Sequence, residues 1–293
     1  MERVIDVTHY TDPGCPWAYS ASPAITTMRW RYGNSLRWTL VTIGLAEDAS
    51  RYAASGYTPT RSAIGYAGFR RFGMPFQVTP KASLSATSPA CRAIVATRLV
   101  APDLEDSAFR ALQFAQFTTT GVFDDPRTLR AALARVPGLD ADEIVGRIDD
   151  PAVREAYEAD RARARTAAGS PTEFQGRSAN TDGAVRYTAP SLVFETEDGR
   201  RLEAGGFQPV EAYDVLVANL DPTLERRPPA IDALDVLYAF PYPLATAEVA
   251  AVMTEHLGAP DLAVAEAALI AAAGEGRAVR LPVGDDALWS VAA

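Results

Sequence analysis

The chain has 293 residues, enough for one large domain or two, and its 48% hydrophobic and 22% charged content is typical of soluble globular proteins. A formal net charge of −9 argues against a nucleic-acid-binding surface, which needs clustered Lys and Arg. The sequence offers neither a run of about 18 apolar residues for a membrane span nor an export signal at its start. With two cysteines in all, these features favour a reducing, cytoplasmic location.

The first part of the chain predicts a strand, a helix and a second strand. Residues 4–8 alternate apolar and polar side chains, as a short strand does. The turn-forming residues 12–14 end that strand, and residues 17–32 are expected to form a helix that Pro23 kinks. Residues 36–43 are mostly apolar and β-branched, which is typical of a central strand.

The middle of the chain predicts a helical region. Residues 47–81 are rich in Gly, Tyr and Arg and have no clear pattern. Amphipathic helices are expected next, the first with Ser88 as its N-cap. Their predicted ranges are 88–100, 104–118, 125–136, 140–148 and 150–168. Residues 169–183 are rich in Gly, Ser and Asn and predict a loop.

A strand–hairpin–helix pattern follows this loop. A strand is expected over residues 187–194, and a turn at residues 197–199 leads to a second strand over residues 201–204. Gly205 and Gly206 then open a helix over residues 208–219.

The composition changes after a proline-containing linker at residues 221–229. Residues 229–293 hold nine acidic residues and two arginines. Three helices and a hairpin are expected there, which is the content of a winged-helix-like α+β module. The predicted ranges are 231–240, 245–255, 263–275, 277–282 and 287–291. Such modules often bind DNA, but the scarcity of basic residues favours internal packing or docking of a protein partner.

Cys15 occupies a position that favours reactivity. It follows the turn at residues 12–14, and Pro16 stands where a helix tolerates proline at its first position. The free N–H groups and the dipole of a helix start stabilise a thiolate, so we expect a lowered pKa for Cys15. The second cysteine, Cys91, lies on a predicted helix and is expected either to pack in the core or to resolve Cys15.

Residues 12–17, Asp-Pro-Gly-Cys-Pro-Trp, resemble the active site of DsbA-like thioredoxin-fold proteins, in particular the FrnE-like and 2-hydroxychromene-2-carboxylate isomerase-like branch. A usual form there is Asp-Pro-x-Cys-Pro-Trp-Cys, and Ala18 stands at the second cysteine. Residues 188–190 fall where this family keeps a cis-proline opposite the cysteine, and residues 205–209 resemble its Gly-x-Gln-Pro turn. The resemblance covers about residues 4–220.

The resemblance implies an α/β thioredoxin-like domain over residues 1–220 with a helical insertion at about residues 60–185. The acidic winged-helix-like domain at residues 229–293 lies outside the resemblance and is predicted from its own pattern. The resemblance also implies Cys15 as the catalytic residue and no metal ligands. The substrate-binding residues that it implies are Pro16, Trp17, Ala18, Thr188, Ala189, Pro190, Gly206 and Gln208.

Three functions remain open on these grounds. The first is a single-thiol oxidoreductase in which Cys15 attacks a disulfide and a small thiol, glutathione or mycothiol, resolves the adduct. The second is an isomerase or transferase that uses such a thiol as its nucleophile. The third is a redox-inactive scaffold that binds a protein partner through the groove and the acidic C-terminal domain. No tightly bound cofactor is expected.

Overall fold

The computed structural model of the chain describes residues 4–180 and 183–292. Residues 1–3 and 293 of the two predicted domains lie outside the described residues, as do residues 181 and 182 of the predicted loop. Within the described ranges, none of the helices has the length and apolar character that crossing a lipid bilayer requires.

Nine strands form three sheets within residues 4–180 and 183–292. They are β1 (Ile5–Thr11), β2 (Leu36–Thr42), β3 (Ser178–Ala179), β4 (Arg186–Tyr187), β5 (Ser191–Thr196), β6 (Arg201–Gly205), β7 (Leu244–Ala245), β8 (Ala278–Val283) and β9 (Asp286–Val291).

Fourteen α-helices connect and cover these sheets in the described part of the chain. They are α1 (Pro16–Ser20), α2 (Ser22–Tyr32), α3 (Ser50–Ala54), α4 (Pro59–Phe69), α5 (Ser88–Val100), α6 (Glu105–Thr118), α7 (Pro126–Leu133), α8 (Ala141–Arg147), α9 (Pro151–Ala164), α10 (Pro171–Phe174), α11 (Val210–Leu220), α12 (Ala233–Ala239), α13 (Thr246–Met253) and α14 (Leu262–Gly274).

The central sheet has the strand order β2-β1-β5-β6. Strands β1 and β2 are parallel, and β5 and β6 join them antiparallel. Helices α2 and α11 cover one face, where Val7 and Phe194 of the sheet pack with Met28 and Tyr213 of the helices. This arrangement is the thioredoxin-like α/β core that the sequence predicts.

The predicted helix over residues 17–32 is in fact two helices. Helix α1 ends at Ala21, and α2 begins at Ser22 with Pro23 in its first turn. Pro23 has no N–H group and cannot continue the hydrogen-bond pattern of α1, so the helix breaks instead of kinking.

The helices between β2 and β5 begin earlier than predicted. The unassigned residues 47–81 contain α3 and α4, and the Thr58 side chain caps α4 by accepting from the Arg61 N–H. Helix α5 has the predicted bounds, although its N-cap is Thr87 and not Ser88. The predicted loop at residues 169–183 contains the short elements α10 and β3.

The predicted strand over residues 187–194 is interrupted. Its residues form β4 and β5, with Pro190 between them. Proline lacks the N–H group that a central strand donates, so the sheet pairing of β5 with β1 starts only at Ser191.

The C-terminal unit, residues 229–292, contains α12, α13, α14 and a sheet of order β7-β9-β8. The three helices and the hairpin have nearly the predicted bounds, and β7 is an additional strand. The buried Trp289 is surrounded by apolar side chains of all three helices, and Trp30 of α2 packs into the same cluster. The C-terminal unit therefore shares its core with the sheet domain.

A buried ion pair joins the two parts. Glu248 of α13 is fully buried and accepts two 2.7 Å hydrogen bonds from the guanidinium of Arg110 on α6. It also accepts from the Thr26 hydroxyl of α2 at 2.8 Å and from the Ala245 N–H at 2.8 Å. Every oxygen of this carboxylate thus has partners, which is what a buried charge requires.

Replacing Glu248 by Gln is expected to lower the free energy of unfolding by about 3–5 kcal/mol, because the Arg110 charge stays buried without its partner. Urea unfolding followed by circular dichroism measures this. The matched control is Asp142→Asn, which breaks the exposed pair with Arg130 and should leave the unfolding midpoint unchanged. An unchanged midpoint for Glu248→Gln would contradict the structural role of the pair.

Candidate functional site

Cys15 lies where β1 ends and α1 begins. It is the N-cap residue of α1, and its backbone N–H donates to the Asp12 carbonyl at 3.1 Å. Its thiol donates to the Ala189 carbonyl oxygen at 3.1 Å. The thiol and the 188–190 segment, which the sequence places opposite each other, are therefore in direct contact.

The Cys15 thiol is protonated at neutral pH, contrary to the expectation from its helix-start position. Cys15 is only 7% exposed, and this burial raises its pKa to about 12. The N–H groups of Ala18 and Trp17 oppose that shift, and the nearby Asp12 charge adds to it. The helix start supplies the expected donors, but the removal of the thiol from water outweighs them.

Asp12 organises the loops around Cys15. Its carboxylate is fully buried and accepts hydrogen bonds from the Gly14 N–H at 2.8 Å, the Leu45 N–H at 2.8 Å and the Thr87 hydroxyl at 3.0 Å. Burial raises the pKa of Asp12, and these hydrogen bonds oppose the shift. One side chain thus joins the end of β1 to the segment after β2 and to the start of α5.

Cys91 belongs to this network and not to the surface. It is fully buried on α5, and its thiol donates to Asp12 Oδ2 at 3.6 Å. Burial raises its pKa well above the usual thiol value. Both cysteines are free, and their sulfurs donate to different acceptors. The geometry corresponds to the core role predicted for Cys91 rather than to a partner of Cys15.

The 188–190 segment presents backbone groups beside Cys15. The Ala189–Pro190 peptide bond is cis. The Thr188 hydroxyl donates to the Arg177 carbonyl at 2.7 Å, and the Ser191 hydroxyl donates to the Thr188 carbonyl at 2.7 Å. These bonds fix the turn that carries the Ala189 carbonyl.

Gly206 and Gln208, two of the other predicted substrate-binding residues, form hydrogen bonds at the start of the segment that leads into α11. Gly206 donates its N–H to the Ser191 hydroxyl at 3.2 Å, and the Gln208 amide donates to the Gly205 carbonyl at 2.9 Å. Gln208 lines a separate cavity of about 230 Å³ between α2, the start of α11 and the C-terminal unit. Gly206 thus supports the turn at residues 188–190, and Gln208 flanks it.

Ala18 is not available to a substrate, because it is 2% exposed and packs into the core cluster around Tyr10 and Val41. Helix α1 turns this position toward the sheet, so Ala18 contributes to the site through packing. Trp17 is 41% exposed, and its ring contacts Phe69 and Phe207 at centroid distances of 4.8 and 5.5 Å. The Trp17 side chain therefore forms part of the exposed surface of the site.

A cavity of about 420 Å³ opens next to Gly14, Pro16 and Trp17, the chain neighbours of Cys15, and its size is typical of a small-molecule site. Of the predicted residues, Pro16 and Trp17 line it. The remaining walls come mainly from α3, α4 and the segment before α5. The aromatic residues that line it are Trp17, Tyr52, Tyr57, Tyr66 and Phe69. The sequence does not predict this cavity; the abundance of tyrosine in residues 47–81 is the one feature that points to it.

The cavity and the thiol are electrostatically linked. Burial raises the pKa of Tyr52 and Tyr66, and a negative charge on Cys15 raises both further. A ligand in the cavity would therefore meet Pro16, Trp17 and polar hydroxyl groups near Cys15. Within residues 4–180 and 183–292, no three His, Cys, Asp or Glu side chains are grouped to hold a metal ion.

Comparisons with known proteins agree with this geometry. A family model described as a DSBA-like thioredoxin domain matches residues 6–189. No curated protein matches the sequence. Solved structures with the same fold include a putative protein disulfide isomerase from Nitrosomonas europaea (TM-score 0.56, 19% identity, covering 75% of this chain and 99% of that one).

Two further structures share the fold. One is a probable DsbA oxidoreductase from Streptomyces coelicolor (TM-score 0.54, 18% identity, covering 78% of this chain and 94% of that one). The other is the cytosolic disulfide reductase DsbM from Pseudomonas aeruginosa (TM-score 0.51, 17% identity, covering 74% and 100%), which has also been solved with GSH. At these identities the likeness establishes the fold.

Alkylation measures the protonation state of Cys15. In a Cys91→Ala variant, the iodoacetamide rate should rise with pH without a plateau up to pH 10, because the thiolate forms only near pH 12. At pH 7 we expect a rate at least about a hundredfold below that of the same chain unfolded in urea, where a thiol has a pKa of about 8.5. A plateau below pH 8 would show that the thiolate is stabilised.

The close packing of the site gives a second expectation. A Cβ atom at Gly14 would overlap Thr87 Cγ2, so Gly14→Ala should destabilise the fold by about 1–3 kcal/mol. Thr87→Ser removes that methyl group and keeps the hydroxyl for Asp12, so the double variant should recover most of the loss. Gly146→Ala on α8, where a Cβ meets nothing within 4 Å, is the control. Equal losses with and without Thr87→Ser would contradict this explanation.

Proposed function

Because the chain belongs to the DSBA-like thioredoxin domain family, we propose that it performs thiol chemistry on small molecules, as an isomerase or transferase that uses glutathione or mycothiol as its nucleophile. One observation carries this proposal: a cavity of about 420 Å³, lined by Gly14, Pro16 and Trp17, adjoins the segment that holds the enclosed, protonated Cys15 thiol. The neutral thiol is suited to donate a hydrogen bond rather than to attack.

Oxidation of client proteins fits the geometry less well. A client disulfide must reach the attacking sulfur, and Cys15 is 7% exposed. A mixed disulfide at Cys15 would have no second cysteine beside it, because Ala18 is the residue in that position. A small molecule avoids both obstacles, since it enters the cavity and needs no internal resolving thiol.

The proposed reaction begins when the thiolate of the bound thiol adds to an unsaturated carbon conjugated to a carbonyl group. A C–S bond forms, and the π electrons move to the carbonyl oxygen. In an isomerase the C–S bond breaks again after rotation, which regenerates the thiolate. In a transferase the neighbouring α-carbon takes up a proton and the attacked carbon keeps the sulfur; on an aryl chloride the thiolate instead displaces chloride. For this step the Cys15 S–H turns from the Ala189 carbonyl to the attacking sulfur, donates a hydrogen bond to it and holds it in place.

Single-thiol disulfide exchange is the second candidate, favoured by the position of Cys15 at the start of α1 facing the 188–190 segment. Here the Cys15 thiolate attacks a small disulfide, forms a mixed disulfide and releases one thiolate. A second small thiol, as its thiolate, then attacks that bond and releases Cys15. This route needs an ionised Cys15, so its rate should increase up to high pH.

We assign the C-terminal unit a packing role in this proposal. Its order of helix, strand, two helices and two strands supports a winged-helix-like module. Its acidic composition argues against binding of nucleic acid. The ion pair of Glu248 with Arg110 supports docking onto the sheet domain. Because both cysteines are free thiols, we propose a reducing, cytoplasmic environment.

Two variants of Cys15 distinguish the candidates. Each assay is run with glutathione and with mycothiol. Isomerisation of a cis-enone is monitored by NMR, and transfer to 1-chloro-2,4-dinitrobenzene is monitored by absorbance. Reduction of 2-hydroxyethyl disulfide measures disulfide exchange. For thiol-dependent isomerisation or transfer, Cys15→Ser keeps a hydrogen-bond donor and should retain most activity. Cys15→Ala loses the donor and should be about 10- to 100-fold slower.

Disulfide exchange at Cys15 would instead be abolished by both substitutions, because neither residue has a sulfur. Equal loss of all activity in Cys15→Ser and Cys15→Ala would thus refute the leading proposal and support exchange. Absence of all three activities in the unmodified protein would refute both and leave the redox-inactive scaffold.

A further inference from the structure

The charges in the 420 Å³ cavity differ from those of the whole chain. The protein carries a net charge of −9, yet no Asp or Glu is among the described residues that line this cavity. Two basic residues line it, Lys81 and Arg61. A cavity with two cations and no carboxylate, in an acidic protein, is complementary to an anion.

Lys81 is the single lysine of the chain. Its ammonium donates to the Gln116 side-chain oxygen at 3.1 Å and to the Gly121 carbonyl. Both acceptors are neutral, and no described carboxylate forms an ion pair with it. An ammonium has three N–H groups, so these acceptors leave one for a ligand. A partly buried ammonium without a counter-charge is costly, and an anionic ligand would supply that charge.

Arg61 adds a second positive charge at the exposed side of the cavity. It extends from α4, donates to the Gly56 carbonyl at 3.0 Å and places its guanidinium 5.6 Å from the ring centroid of Tyr57. The aromatic side chains Trp17, Tyr66 and Phe69 lie along the same cavity. The lining therefore combines cations with apolar ring surfaces.

We propose that this cavity binds a small organic anion, whose acidic group pairs with Lys81 and whose apolar body packs against the aromatic walls. The proposal deepens the proposed function, on which it rests for the use of the cavity as a substrate site. On this proposal, tight binding requires an acidic group on the ligand, and Lys81 is the residue that recognises this group.

Lys81 also makes the binding depend on pH. Burial lowers its pKa to about 7. The other titratable groups that line the cavity are Arg61, Tyr52, Tyr57 and Tyr66. Burial raises the pKa of Tyr52 and Tyr66, which keeps them neutral, and a guanidinium stays charged. Gln116, which faces Lys81 from α6, does not titrate. Anion binding should therefore weaken as pH rises through 7 and Lys81 loses its proton.

The test compares two probes of the same shape, 2-naphthoate and the neutral 2-naphthamide, by calorimetry at pH 6 and pH 8. 2-Naphthoate stays ionised at both values. We expect its affinity to be about tenfold lower at pH 8, because about one tenth of the Lys81 groups remain protonated one unit above a pKa of 7. The affinity for 2-naphthamide should be lower than that for 2-naphthoate at pH 6 and the same at both pH values.

Variants identify the residue responsible. Lys81→Met should lower the affinity for 2-naphthoate at pH 6 about tenfold or more and remove its pH dependence. Unchanged binding of 2-naphthamide to this variant would show that the cavity is intact. Lys81→Arg keeps a charge that does not titrate, so it should bind 2-naphthoate equally at pH 6 and pH 8. Arg280→Gln removes one exposed charge of the C-terminal unit and should behave as the unmodified protein does.

The proposal is overturned if 2-naphthoate binds no better than 2-naphthamide, if its affinity is the same at pH 6 and pH 8, or if Lys81→Met leaves it unchanged. None of these measurements uses a thiol or turnover. A protein that binds 2-naphthoate as expected but shows no thiol-dependent activity would refute the proposed function alone. Activity without anion-dependent binding would refute this inference alone.

Discussion

The site depends on one buried carboxylate, that of Asp12. Hydrogen bonds from the Gly14 N–H, the Leu45 N–H and the Thr87 hydroxyl stabilise it in the protein interior. These donors come from three separate segments of the chain, so the carboxylate determines how the segments meet. The same charge opposes ionisation of Cys15. The residue that builds the loop around the thiol therefore also helps to keep the thiol protonated.

Much of the fold follows from local patterns, and the properties of the thiol do not. Strand β2 and helix α5 lie where their side-chain patterns predict them, because periodicity and capping are encoded within each segment. The pKa of Cys15 has another origin. Its largest cause is burial, and the acceptor of its hydrogen bond, the Ala189 carbonyl, lies 174 residues away in sequence. A helix-start argument considers only the local donors and so predicts the wrong direction.

The cavity is even harder to predict from local sequence patterns than the pKa of Cys15. Its aromatic residues are irregularly spaced in a stretch that contains the short helix α3 and the glycine-containing helix α4, and no period relates Tyr52 to Tyr66. Lys81 precedes α5 in a segment without regular structure, and its partners Gln116 and Gly121 belong to α6 and the turn after it. The sequence identifies Lys81 as the one lysine, but only the folded chain places it in a cavity without carboxylates.

The C-terminal unit contributes to this cavity without lining it. Asp285 accepts from the Phe76 N–H at 2.7 Å, and the Phe76 ring contacts those of Tyr66 and Phe69, which form the cavity wall. On the other side, Arg110, the partner of Glu248, lies on α6, the same helix that carries Gln116 to Lys81. Two acidic residues of the unit, Asp285 and Glu248, thus form contacts behind the wall and hold its position. Their charge adds nothing to the lining, which remains cationic.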